Sequence, residues 1–150
     1  MTRTRKRRVL VVGEDSYLWH VGHRHVGGCE EILSIRRAGS PSRRTLCFRQ
    51  KPGFWVPNGG VSAAGEVGDD ADRLLNLNEP GTVRAFVEAL TGSEWPPQDR
   101  RAAEIDGWAW FDEVYRRRVA AQKAREAAVG WRRATPSAPP SPHSCAAPEV

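Results

Sequence analysis

LNLNEPGTVRAFVEALTGSEW, residues 75–95, carries a helix start signal, a periodic apolar face and a stop signal in mutual register. Val83, Phe86, Val87 and Leu90 fall at i, i+3, i+4 and i+7, one face of a helix. Arg84, Glu88 and Thr91 are free to point outward. Asn78 or Glu79 can cap the start, and Pro80 suits the first turn, where a missing N–H costs nothing. Gly92 fits the C′ position, and Pro96-Pro97 forbids continuation. A helix of about three turns cannot stand alone, so it has to cover something. Leu75 and Leu77 alternate with Asn76 and Asn78, which predicts a short strand feeding the helix.

Upstream, the period changes from 3.6 to 2. Residues 9–26 read as a hairpin with its loop at Gly13–Ser16. Tyr17, Trp19, Val21, His23 and His25 share one face of its second strand, and His20 lies on the other. The aromatic side is the expected core face. Residues 31–50 read as a second hairpin around AGSPS, with Leu33 and Ile35, then Leu46 and Phe48, on alternating positions. Four short strands followed by one helix give an α+β fold. The expectation is an antiparallel meander of about four to six strands, packed on one face and wet on the other.

Residues 51–72 look least structured, with AAGEVGDDAD (residues 63–72) reading as an exposed acidic loop. Residues 93–100 read as a linker. EIDGWAWF (residues 104–111) reads as a closing strand or as an apolar segment packed across the sheet edge. Residues 112–130 have strong helix propensity but a thin apolar face, Val114, Val119 and alanines, which predicts a helix projecting from the body. The expected organisation is a basic disordered arm (1–8), one α+β domain (9–112), an exposed basic helix (113–133) and a disordered Pro/Ser/Ala tail (134–150).

The 150 residues carry a net charge of +5, unevenly spread. Residues 9–111 hold 11 Lys/Arg against 14 Asp/Glu, so the excess of positive charge belongs to the flanks. Arg3, Arg5, Lys6, Arg7 and Arg8 are the candidate phosphate contacts, and such contacts would be sequence-independent and salt-sensitive. The three cysteines, Cys29, Cys47 and Cys145, form no C-x-x-C and fit a reducing cytoplasm better than a disulfide framework. The first apolar run ends at Gly13, too short for a signal peptide, and no stretch approaches a membrane span.

HVGHRHVGGC, residues 20–29, is the candidate metal segment. Imidazole and thiolate are zinc ligands, and His23 and His25 share a strand face. Cys29 and a cross-strand Cys47 complete the candidate set, although no standard zinc spacing is present. The alternative is a half-exposed strand end bearing polar aromatics. Asp69, Asp70 and Asp72 read as a solvated acidic run.

WVPNGGVSAAGE (residues 55–66) resembles the opening of the Nudix box, with Gly60 and Glu66 at the G-x5-E spacing, and RAFVEALTG (residues 84–92) echoes its helix. The resemblance implies hydrolysis of nucleoside diphosphates linked to another group, with Mg²⁺ held by helix glutamates. The chain departs from the pattern where that chemistry is done. Leu74 and Leu75 stand where an R-E pair is needed, Ala85 and Ala89 replace two acids of the shifted helix, and Gly92 falls one residue late. Glu88 alone remains, and one carboxylate is a poor Mg²⁺ site. The run LNLNEPGTVRAFVEAL, with its Trp-Pro exit and the later DGWAWF, also resembles a set of uncharacterised small actinobacterial proteins over roughly residues 9–114. That resemblance implies the meander-then-helix fold and no activity.

The lack of paired catalytic groups or a phosphate loop points to a small non-enzymatic binding or regulatory module that acts through protein contacts. No resident cofactor is expected. Alternatives are nucleic-acid binding through the basic flanks and a degenerate Nudix-like or metal-dependent hydrolase.

Overall fold

The computed structural model describes residues 7–57, 64–91 and 103–133. Strands β1 (Arg8–Val12), β2 (Asp15–His25), β3 (Cys29–Arg37) and β4 (Arg43–Arg49) form the expected antiparallel meander. Val12 pairs with Asp15, so the first turn has two residues, and Gly13 supplies its positive φ of 62°. β5 (Phe54–Trp55), β6 (Glu66–Asp69) and β7 (Leu74–Asn76) follow, then α1 (Pro80–Thr91), β8 (Ala103–Asp106) and α2 (Trp108–Arg133). The fold is α+β. Its main sheet is mixed, in the order β1-β2-β3-β4-β8, because β8 joins β4 in parallel. Among the described residues, no helix is long and apolar enough to cross a membrane.

Period-2 alternation sets the core face. Tyr17 and Trp19 of β2, Leu33 and Ile35 of β3, and Leu46 and Phe48 of β4 are all buried. α1 lays Val83, Phe86, Val87 and Leu90 among them, as its 3.6 period requires. Phe48 meets the Phe86 ring edge-on at 5.9 Å and the Trp108 ring at 5.2 Å, so β4, α1 and α2 join at one aromatic cluster. Gly107 lies between β8 and α2 under the Phe48 ring, where a Cβ would stand 2.5 Å from two ring carbons.

The acidic stretch at 63–72 is corrected by the structure. Residues 66–69 are the central strand of a second sheet, β5-β6-β7, with Val67 fully buried. Gly68 makes this possible, because the Trp55 ring lies directly on it, where a Cβ would stand 2.5 Å away. Asp69, read from sequence as solvated, is buried. It accepts hydrogen bonds from the backbone N–H groups of Ala71 and Arg73, and an ion pair ties it to the Arg73 guanidinium. Arg73 continues to Asp112 at 2.6 Å and stands over the Phe111 and Tyr115 rings, which fastens the second sheet to α2. Burial works to raise the Asp69 carboxyl, but Arg73 and the two N–H groups outweigh it and hold the pKa below the usual aspartate value. Its stabilising contribution is therefore present above that usual value and lost as pH falls through the lower folded one. Asp69→Ala should cost about 2 kcal/mol in urea melts near neutrality and should flatten the acid limb of the stability curve. A loss indistinguishable from zero would show that Asp69 does not organise this turn.

α2 begins four residues earlier than residue 112. Asp106 accepts from the Trp108 backbone N–H at 3.0 Å, and Trp108, Phe111 and Val114 are buried. Only the later turns leave the body, which Arg118–Glu79 and Arg117–Glu88 pairs hold to α1. Trp131 (73% exposed) and Val129 lie two residues apart, on opposite sides of the helix, so they form no apolar stripe. The linker at 93–100, Trp95, Arg3, Arg5, Lys6 and the tail at 134–150 lie outside the described residues.

Candidate metal centre

β2 and β3 place the histidines. His25 pairs with Cys29 and His23 with Glu31, so all four side chains project from the same face at one end of the β2–β3 hairpin. Gly27 and Gly28, at φ of 69° and 154°, turn the chain tightly enough for Cys29 to stand opposite His25. One donor atom from each of His23, His25 and Cys29 lies within 4.8 Å of the others. Among the described residues they are the one group of three or more His, Cys, Asp or Glu donors that close together. Cys29 Sγ is 3.5 Å from His25 Nδ1, and the His23 and His25 rings meet edge-on at 4.6 Å. A tetrahedral zinc ion with Zn–N of about 2.05 Å and Zn–S of about 2.3 Å separates its N and S donors by about 3.6 Å. The His25–Cys29 edge, at 3.5 Å, already has about that length.

Glu31 was not singled out by the sequence reading. Its carboxylate is 1% exposed, and Oε1 lies 2.5 Å from His23 Nδ1. Oε2 has no hydrogen-bond partner among the described residues. Burial raises the Glu31 pKa, while the hydrogen bond with His23 and the nearby Gly65 backbone N–H work to lower it, and burial wins. Gly65 reaches this position with φ of 93°, and a Cβ there would strike the Asn78 amide. A His that donates Nδ1–H to a buried carboxylate presents Nε2 as a lone-pair donor, the arrangement that orients metal-ligating histidines. Glu31 shares parity with Leu33 and Ile35, so an acid at a core-face position was the available signal.

Cys47 does not join the group. It pairs with Ile32, while Phe48 pairs with Glu31, so Cys47 faces the opposite side of the sheet. There it lies 3.6 Å from the Arg24 guanidinium, within a network in which buried Glu30 accepts from Arg24 at 2.6 Å and from Arg49 at 2.5 Å. Arg24 also reaches Glu104 at 2.8 Å and holds its carboxyl below the usual range. Burial first, and Glu104 second, push the Cys47 thiol up, so it is a poor nucleophile and ligand. It lines a cavity of about 420 Å³ with Arg49, Lys51, Glu104, Asp106 and Trp108, where Arg49 is paired with Glu30, Glu104 with Arg24 and Lys51 with Asp106. His20 stands opposite Ser34 on that same outer face.

The other candidates are dispersed. Arg8 opens β1, donates to the Asn78 carbonyl at 2.7 Å and stands over the Trp19 ring at 5.0 Å, so it closes the end of the core. Arg7 is exposed beside it. Of the two glutamates in the Nudix-like stretches, Glu66 sits in β6, and Glu88 on α1 pairs with Arg84 at 3.0 Å. Gly60 lies outside the described residues. No family model matches the chain, and no curated protein or solved structure does.

Proposed function

We propose that the protein is a small metal-binding module in which His23, His25 and Cys29 hold a divalent cation of the zinc class. The observation that carries this reading is the approach of three zinc-type donors to within 4.8 Å of one another on one paired hairpin. A neutral imidazole pair and a thiolate suit zinc better than the oxygen-preferring Mg²⁺ or Ca²⁺. The buried Glu31 beside His23 supports it further, since a carboxylate behind a ligating histidine fixes its tautomer and raises its basicity. The register that brings the donors together belongs to the sheet, so little ordering cost falls on the binding step. Metal occupancy is then the state that a regulatory module of this size can report to a partner.

Zinc titration of metal-free full-length chain tests the reading. One equivalent should bind, and a hundredfold excess of free zinc over the dissociation constant should stabilise the fold by about 2.7 kcal/mol. His23→Ala and Cys29→Ser should each weaken binding by more than the roughly 10- to 100-fold typical of losing an orienting partner. Cys47→Ser should leave binding unchanged. Equal affinity in the wild-type and Cys29→Ser chains would overturn the assignment.

A further inference from the structure

We infer that the cation at His23, His25 and Cys29 keeps a fourth coordination position open to solvent, where it takes a small anionic donor. The inference rests on the metal reading above and concerns what the site is for.

All three donors come from one hairpin end and one sheet face. They occupy one side of a tetrahedral cation, so the fourth vertex points away from the hairpin. Among the described residues, no further His, Cys, Asp or Glu joins the group. Glu31 is the nearest carboxylate, and its Oε1 is engaged by His23. Residues 58–63, which precede the Ala64-Gly65 turn beside Glu31, read NGGVSA and hold none of the four zinc-ligand types. Solvent reaches the cluster, because His25 is exposed and the His23 side chain is 27% exposed. Three protein ligands and one exchangeable position are the pattern of zinc sites that handle a ligand, while structural sites are closed by four.

A structural staple would also gain little here. The metal would link residues 23 and 29, which strand pairing already holds together, so the loop it closes is short and pre-formed. The core of Trp19, Leu33, Phe48 and Phe86 is complete without it.

Charge selects the class of ligand. A dication with one thiolate and two neutral imidazoles carries about +1 among its direct ligands, and the Glu31 carboxylate offsets it only from behind the His23 ring, so a small anionic donor still meets positive charge at the cation itself. Water in that place would be made more acidic than bulk water by the cation.

Cobalt(II) replaces zinc in such sites and reports its coordination through visible absorption, so the test uses the full-length chain loaded with one equivalent of Co²⁺. Azide is the probe. A saturable, one-to-one shift of the visible bands on azide addition, present in Cys47→Ser and absent in His23→Ala, is the expected result. Stoichiometric cobalt binding with a four-coordinate spectrum that azide does not move would overturn the open position while leaving the metal reading intact. That outcome would mean a fourth protein ligand, for which Glu94, Asp99, His143, Cys145 and Glu149 are the donors outside the described residues. Absence of stoichiometric cobalt binding would overturn both.

Discussion

Phe48→Ala should destabilise the protein by about 3–5 kcal/mol, a large fraction of the 5–15 kcal/mol that holds a domain of this size together. The ring is fully buried and joins the main sheet to both helices. It packs against Phe86 of α1 and Trp108 of α2, and its underside rests on Gly107, the joint between β8 and α2. Removing it leaves a cavity that no single element can close by shifting, because three elements and the parallel strand meet there. The edge-on pairs with Phe86 and Trp108 add to the cost beyond area alone. Urea denaturation followed by tryptophan fluorescence measures it, and a loss below about 1 kcal/mol would mean that the cluster is not the keystone of the core. Leu90→Ala, on the α1 face, should fall in the ordinary range of about 2–5 kcal/mol by the same method.

Glu31→Gln should weaken zinc binding by about 10- to 100-fold and remove a pH dependence from the metal-free fold. The substitution keeps the shape and an acceptor for His23 but removes the charge. In the wild-type chain, burial raises the folded-state pKa of Glu31 above its unfolded value. A group shifted that way contributes stability that is fully present below the unfolded pKa and lost as pH rises through the folded pKa. The metal-free wild-type protein should therefore lose that contribution on going from about pH 4.5 towards neutrality, and Glu31→Gln should lose less over the same interval. Thermal melts of both chains in the presence of a chelator supply the measurement. Parallel curves would show that the buried carboxylate carries no such penalty. Unchanged zinc affinity would remove Glu31 from the site. The charge that costs the fold stability is the one that orients His23 for a cation.

Short-range periodicity made most of the scaffold legible. The 3.6 spacing of Val83, Phe86, Val87 and Leu90 placed α1 to the residue, with its start at Pro80. Alternation placed the two hairpins and the aromatic core face of β2. The second sheet was hidden because its signals are unlike those of the first. β6 is four residues long, carries two acids, and owes its burial to a tryptophan lying on Gly68 and to Arg73 satisfying Asp69. Trp55 is too far from Gly68 in sequence to form a pattern with it, and Arg73, four residues past Asp69, reaches it only through the turn that the structure places between them. The early start of α2 was missed for a related reason. Trp108 and Phe111 supply apolar area that fits a strand or a helix equally well until Gly107 and Phe48 fix the turn before them.

The candidate site divides along the same line. By itself the sequence determined the residue types, imidazole and thiolate, and the parity that puts His23 and His25 on the core side of β2, because both are properties of a strand alone. The parity of Leu46 and Phe48 already set Cys47 on the opposite face of its own strand. Tertiary structure alone decided that Cys29 meets His25, that Glu31 backs His23, and that Cys47 is spent on the Arg24 and Glu30 network. Those outcomes depend on the register between strands, which is set by the Gly27-Gly28 turn and the shared core, and a one-residue slip would have reversed them all.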